Sequence, residues 1–184
     1  MVFDTPDVSK QRDYLAASGF ALVAGGVPFV ESERHRLIAS VYGGIGKDLD
    51  RFSTFRLPGR PTGYEWESLA LPMLQGVAFN ELYPRTYGIA HLEYRYEALF
   101  FMYPYIRASY GRVDYARFQP NGSIYYTREP MPVLAGGLIT GAPWNSQIEI
   151  NYSYNFGIFR DHRGGPPEPG GQGFFVFWAR EFEK

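Results

Sequence analysis

Hydrophobic and polar residues alternate strictly over residues 146–158, SQIEINYSYNFGI. A period of two predicts a β-strand with one apolar and one polar face. Strands in soluble proteins average roughly 5–6 residues, so this stretch is about twice the usual length. Such a length fits a strand that crosses a membrane beside a water-lined interior. The apolar side comprises Ile148, Ile150, Tyr152, Tyr154, Phe156 and Ile158, and the polar side comprises Gln147, Glu149, Asn151, Ser153, Asn155 and Gly157.

Strands of comparable length are predicted over most of the chain. No convincing amphipathic helix is found, and the dipeptide Asn121-Gly122 suits a tight hairpin turn because it accepts positive φ. Pro130 and Pro132 predict a bend or bulge near the start of the fifth strand. The predicted fold class is an all-β antiparallel meander of about seven long strands, the C-terminal half of a transmembrane β-barrel. Besides 146–158, the strands are predicted at roughly 13–28, 35–48, 85–98, 100–118, 131–141 and 174–183.

Charged and polar residues form a row on one face of these predicted strands. A water-lined lumen accepts such a row, as does a solvent-exposed face of a sheet. Inside a lumen, the row would form either a salt-bridge lattice that fills the interior or the lining of a polar passage. The residues predicted to face the lumen are His91, Glu93, Arg95, Glu97, Arg107, Glu149 and Asn151.

The predicted connections alternate between short and long, as in outer-membrane barrels, which have short turns on one side and long loops on the other. The longest spans 49–84, and loops beyond about 12–15 residues are usually functional or disordered. It contains Tyr64, Trp66 and several Phe and Leu, so it is predicted to fold onto the wall as a plug, a docking element or simple packing. A glycine- and proline-rich loop over 159–172 is predicted to be solvated. The whole chain, 1–184, is predicted to be a single, incomplete β-barrel domain.

Composition argues against several classes of function. The net charge of −1 over 184 residues gives no electrostatic reason to expect a nucleic-acid partner, and the absence of cysteine excludes disulfides and thiolate metal sites. No serine lies in a Gly-x-Ser-x-Gly elbow, and His35, His91 and His162 are too scattered for a triad or a zinc site. A relay between His91 and Glu93 is less expected than a structural hydrogen-bond network. The sequence therefore predicts no enzyme, no cofactor and no metal.

Two segments carry a resemblance to a known family. Residues 71–97, LPMLQGVAFNELYPRTYGIAHLEYRYE, resemble the bacterial surface-antigen barrels of the superfamily that includes outer-membrane assembly and two-partner-secretion transporters. They look most like the C-terminal barrel of patatin-like phospholipases, in which a Leu-x-Gly loop and a Glu-Leu pair lead into a long strand ending in Tyr-Arg. Residues 133–157 are similar to the closing strands of that family, and the resemblance covers about 14–182. The matching positions are Leu74, Gln75, Gly76, Glu81, Leu82, Tyr94 and Arg95.

The resemblance implies an integral outer-membrane barrel of sixteen strands, with the loop 49–84 folded back into the lumen. Members that insert or secrete proteins carry an Arg-Gly-aromatic tip in this loop, whereas neither candidate tip here has an arginine before its glycine. The strand segment RASYG, 107–111, also lacks the aspartate that receives the tip. These departures argue against the ion pair between tip and lumen, and against active polypeptide transport. The lumen-loop residues implied are Thr62, Gly63, Tyr64, Leu74, Gln75 and Gly76.

Seven strands are about half of such a barrel, and open edges are costly in lipid. The predicted partners are therefore membrane lipid and an upstream domain or missing barrel strands, from a longer chain or from another copy. An eighth strand from 52–75 is a further way to close a barrel. The residues predicted to face lipid are Ile148, Ile150, Tyr152, Tyr154 and Phe156.

The predicted location is the bacterial outer membrane. The start of the chain, MVFDTPDVSKQRDY, lacks the basic and apolar leader that export requires, so a mature or truncated piece is expected. The alternative is a soluble all-β module whose long loops bind a ligand or a protein. In that case residues 146–158 would pack in a dry core rather than against lipid.

Overall fold

The computed structural model describes residues 14–49, 53–57, 72–77, 82–118, 124–143, 146–160 and 168–180. The described part of the chain is all-β and contains no helix, in agreement with the predicted fold class. Accordingly, it holds no helix long and apolar enough to cross a membrane. The strands are β1 (Leu15–Gly26), β2 (His35–Lys47), β3 (Thr86–Tyr96), β4 (Met102–Phe118), β5 (Ile124–Ala142), β6 (Ser146–Arg160) and β7 (Glu168–Arg180).

The seven strands form one sheet in chain order, each antiparallel to the next, which confirms the predicted meander. β1 and β7 are the edges of this sheet, so the described strands do not close into a barrel. The connections 27–34, 97–101 and 143–145 lie at one end, which we call the turn end. The opposite strand ends, at Lys47, Phe118 and Arg160, are called the loop end.

Alternation along the strands produces two faces of opposite character. The face called inner carries the buried positions, for example Tyr42, Ile89 and Glu93, while the outer face carries exposed positions such as Val41 and Leu92. Register places these residues consistently, since Tyr42 pairs with Ile89 and Val41 pairs with Ala90. Side chains therefore change face at every residue, as a pleated strand requires.

Segments of the long β2–β3 connection cover the loop half of the inner face. Leu57 and Leu82 form an isolated antiparallel bridge, and both are almost fully buried. Leu74 is also buried and packs in the same cluster. The prediction that this connection folds onto the wall is therefore confirmed for the described residues. The cluster consists of Tyr42, Leu57, Leu74, Val77, Leu82, Tyr87, Ile89, Val113, Met131, Val133 and Ile158, with Phe55 against it.

Four predictions about strand bounds, bends and faces were wrong. β5 begins at Ile124, seven residues earlier than predicted, and its register with β4 is uninterrupted past Pro130 and Pro132. The irregularity lies on β6 instead, between Asn155 and Phe159, and it turns Ile158 into the inner cluster rather than outward. β7 begins at Glu168, so the predicted loop 159–172 shrinks to residues 161–167, which lie outside the described residues.

Candidate functional site

A buried group of ion pairs lies on the inner face where β3 and β4 pair. Glu93 stands opposite Arg107 in the register, and Arg95 follows two residues along the same face. The Glu93 carboxylate accepts a hydrogen bond from Arg107 Nε at 2.5 Å and another from Arg95 Nε. The Glu93 side chain is only 3% exposed. A carboxylate so deeply buried is tolerated because two guanidinium groups pair with it.

Tyr105 extends this group across β5 to β6. Its partner on β5 is Gly137, where a Cβ would lie 2.9 Å from the Tyr105 ring, so the absence of a side chain lets the ring lie across the strand. The phenol hydroxyl donates to Glu149 Oε1 at 2.5 Å and accepts from Asn151 Nδ2. The Arg107 guanidinium lies 5.6 Å from the ring centroid, within cation–π range. One tyrosine thus joins the ion pairs of β3 and β4 to the polar side chains of β6.

His91 occupies the next inner position of β3, toward the loop end. Its Nδ1 lies 2.7 Å from the Ser109 hydroxyl, and its ring contacts Tyr42 edge-on with centroids 5.5 Å apart. The ring also hydrogen-bonds the backbone of Met73, in the long connection. Both partners of the Ser–His pair are thus engaged beneath a covering segment. This geometry supports a structural role more than nucleophilic catalysis, which needs an accessible hydroxyl.

The segment 72–77 docks on the inner face through glycines. Gly76 has φ +77°, and a side chain there would overlap the backbone of Asn155 and Gly171 on β6 and β7. Asn155 Nδ2 donates to the Gln75 carbonyl oxygen at 3.3 Å. Leu74 lies over Gly111 of β4, where an added Cβ would be 2.9 Å from its Cδ1. The segment therefore crosses the inner face and contacts β4, β6 and β7.

The predicted lumen residues fall mainly on this one face. His91, Glu93, Arg95, Arg107, Glu149 and Asn151 share it by register, whereas Glu97 lies beyond the end of β3, where its backbone N–H bonds the Arg34 carbonyl. His91 and Glu93 form no relay with each other: His91 hydrogen-bonds Ser109, and Glu93 accepts hydrogen bonds from Arg95 and Arg107. Leu74, Gln75 and Gly76 are buried against the inner face, and Thr62, Gly63 and Tyr64 lie outside the described residues.

Sequence reasoning missed Tyr105, Ser109, Gly137 and Asn155 as members of the site. The signal that could have found Tyr105 is its spacing, because it lies two residues from Arg107 on the same face of the same strand. Gly137 could not be assigned without the register, because the sequence alone does not tell which of Gly136 and Gly137 lies opposite Tyr105. Among the described residues, no three His, Asp or Glu side chains are grouped so that they could hold a metal ion.

The outer face is apolar and uncovered. Its mid-height positions include Ile150, 40% exposed, and Val176, 59% exposed. Of the described outward side chains on the strands, the charged ones stand at the loop end: Lys47, Arg112, Asp114 and Arg128. The large exposed hydrophobic residues on this face are Leu15, Val23, Val41, Ile45, Leu92, Ile106, Tyr110, Leu134, Ile150, Tyr152, Phe174, Val176 and Trp178.

The five positions predicted to face lipid are exposed or half-buried. Ile150 and Tyr152 are exposed on the outer face, and Ile148 and Tyr154 are half-buried there. Phe156, at the irregularity of β6, is exposed and contacts Tyr154 with ring centroids 4.7 Å apart. None of these five side chains belongs to the buried core of the described residues.

Comparisons of the chain with protein-family models, with curated proteins and with solved structures found no match. What the protein does therefore has to be inferred from the two faces of its sheet.

Proposed function

We propose that this chain forms part of the wall of a β-barrel in the bacterial outer membrane, as the anchor or translocator segment of a surface-antigen-type protein. The observation that carries the proposal is an exposed apolar outer face, which lies opposite an inner face that buries charged and polar side chains beside its apolar cluster. Glu93, Asn151 and Asn155 are buried on the inner face, while Val23, Leu92 and Val176 are exposed on the outer one. Contiguous exposed apolar surface on this scale marks contact with a membrane or another apolar partner.

The height of the apolar face supports lipid as that partner. β3 has eleven residues. At about 3.3 Å per residue they extend roughly 33 Å, or about 23–27 Å along the membrane normal at a tilt of about 35–45°. The apolar band of outer-membrane barrels is about 25 Å tall. The charged row of Lys47, Arg112 and Asp114 bounds this band at the loop end.

The inner face supports a filled lumen rather than an open passage through this part of the wall. The ion pairs around Glu93 satisfy one another, and Tyr105 ties them to β6. Toward the loop end, the segment 72–77 occupies the interior and is sealed against β6 and β7. An anchor is therefore the favoured role, and translocation would require this segment to move.

The odd number of strands restricts what can complete the wall. Because seven strands alternate in direction, the edges β1 and β7 run the same way. A strand antiparallel to one edge is antiparallel to both, so closure requires an odd number of further strands. If a second copy were placed by rotation about the barrel axis, β7 of one copy would lie beside β1 of the other. These two strands run in the same direction, so they would form a parallel pair in an otherwise antiparallel wall. The proposed partner is thus a set of strands other than a second copy of this chain.

Ile150→Arg tests the proposal. A charge at the bilayer midplane costs about 2–4 kcal/mol on the lipid face. In the full protein, with the strands that complete its wall, this variant should fail to fold into vesicles, whereas the wild type should fold and float with them. Gln147→Arg is the matched control, since it adds the same charge to the same strand near the turn end. The measurement is vesicle flotation combined with the heat-dependent gel mobility of folded barrels.

Two outcomes contradict the proposal. If Ile150→Arg folds and floats like the wild type, Ile150 does not face lipid. If the wild type remains monomeric in buffer without detergent and never floats, the soluble all-β binding module becomes the better account. In that module Ile150 would pack in a dry core, so Ile150→Arg would unfold a water-soluble protein.

A further inference from the structure

Two connections at the turn end present apolar side chains away from the sheet. Phe29 lies in the connection 27–34 and is fully exposed, and Leu99, Phe100 and Phe101 lie in the connection 97–101, with Phe100 81% exposed. We call these four residues the turn-end tips. The two connections are neighbours, because the Glu97 backbone N–H donates to the Arg34 carbonyl at 2.9 Å. The exposed apolar side chains of both connections therefore lie at the same end of the sheet, beside the exposed charged residues Glu31, Glu33 and Arg34.

Backbone hydrogen bonds hold these connections in a defined shape. Val30 N–H donates to the Val27 carbonyl, and Met102 N–H donates to the Leu99 carbonyl. Gly141 N–H of β5 donates to the Phe101 carbonyl at 2.8 Å, and the missing Gly141 side chain leaves room for Phe101. The exposure of the aromatic rings is thus built into the turns.

Besides their exposed rings, two of the tip residues have an unfavourable backbone conformation. Phe29 and Phe101 both have φ +67°, a left-handed conformation that bulky residues rarely adopt. Glycine or asparagine would relieve the backbone strain and remove the exposed ring at the same time. A backbone outlier of this kind points to a function when the same residue also exposes a large apolar side chain.

The tips continue the apolar outer face toward the turn end. Next to them, His35, Tyr94 and Tyr96 form an outward aromatic group in which His35 Nδ1 lies 2.6 Å from the Tyr94 hydroxyl. Trp178 stands near the turn end of β7. Aromatic side chains with a polar edge are enriched at membrane–water interfaces. At the opposite end the charged residues Lys47, Arg112 and Asp114 stand on the strands themselves, whereas the turn end has charged residues in the connection 27–34.

We propose that the turn-end tips are immersed in lipid, at the boundary between headgroups and acyl chains. This inference rests on the proposed membrane function and adds which end of the wall is anchored in lipid by its turns. Lipid is the occupant favoured over a protein because the tips are continuous with the outer apolar face. The aromatic group beside them also has the composition of a membrane interface.

Single-cysteine variants test the inference cleanly because the chain contains no cysteine. Phe29→Cys and Phe100→Cys would be labelled with an environment-sensitive fluorophore and folded into phosphatidylcholine vesicles. Glu33→Cys is the control from the same connection as Phe29, and Ile150→Cys reports the wall itself. The readouts are quenching by brominated acyl chains and by aqueous iodide, with gel mobility as the check of folding.

The expected result is a loss of fluorescence with brominated lipid at both tips, comparable to that at Ile150→Cys, and iodide quenching at Glu33→Cys alone. If iodide quenches both tips while brominated lipid quenches Ile150→Cys, the inference is overturned and the membrane wall stands. Tips shielded from both quenchers indicate a protein contact, which also overturns it. If Ile150→Cys is not quenched by brominated lipid, the proposed function itself has failed.

Discussion

The inner and outer faces of this sheet obey opposite rules, although they alternate residue by residue along the same strands. On β6, Asn151 and Ser153 are buried, while their neighbours Ile150 and Tyr152 are exposed. A water-soluble sheet normally buries its apolar face and solvates its polar face. Here polar side chains such as Tyr105 and Asn151 hydrogen-bond each other on the inner face, and large apolar ones are exposed on the outer face. The proposed function explains this difference by placing the outer face in lipid rather than in water.

The largest expected effect comes from breaking the inner face at its centre. Glu93→Gln removes the buried carboxylate charge that Arg95 and Arg107 share. Loss of one partner of a buried pair costs about 3–5 kcal/mol. The urea midpoint of the vesicle-folded protein should fall accordingly. Glu97→Gln, beyond the end of β3, should change it little, and equal shifts for both variants would refute the assigned role of Glu93.

A smaller loss of stability should distinguish the two faces when alanine replaces each of two adjacent glycines of β2. At Gly44, on the inner face, an added Cβ would overlap the buried ring of Tyr87. At Gly43, on the outer face, the nearest atom would be 3.9 Å away. Gly44→Ala should therefore destabilise the protein by about 1–3 kcal/mol, the range for overpacking. Gly43→Ala should be close to neutral by the same unfolding measurement. The reverse order would mean that the faces are wrongly assigned.

The smallest effect concerns a single hydroxyl. Tyr105→Phe removes the group that bonds Glu149 and Asn151, at a cost of about 1 kcal/mol for the net hydrogen-bond contribution. Tyr110→Phe is its counterpart on the outer face of the same strand, where the side chain is exposed. Unfolding curves recorded in parallel should show a loss for Tyr105→Phe alone. No difference between the two variants would show that the hydroxyl does not link β4 to β6.

Much of the fold could be predicted because a two-residue period fixes both the strand and its faces. The period fails where the backbone departs from regular pleating: the irregularity of β6 sends Ile158 inward, although its place in the alternation predicts the opposite. The bend predicted at Pro130 and Pro132 is also absent, because both prolines are accommodated in β5 without a shift in its register against β4. Local sequence does not reveal which ladder a proline or a bulge will disturb.

The site was only partly predictable, since its contacts depend on register across four strands. Charge and spacing indicated Glu93, Arg95 and Arg107, which lie on two neighbouring strands. The crossing of Tyr105 over Gly137 to Asn151 requires three strands to align, and no local pattern encodes that alignment. The docking of Leu74 and Gly76 likewise depends on glycines far away in the chain.

The most direct test of the central claim is a scan of spin labels along β6, at single cysteines replacing Ile150, Asn151, Tyr152 and Ser153 in vesicles. Collision with oxygen, which concentrates in lipid, would be compared with collision with a water-soluble nickel complex. The account predicts high oxygen and low nickel accessibility at Ile150 and Tyr152, and low accessibility to both at Asn151 and Ser153. High nickel accessibility at Ile150 and Tyr152 would place the outer face in water and contradict it.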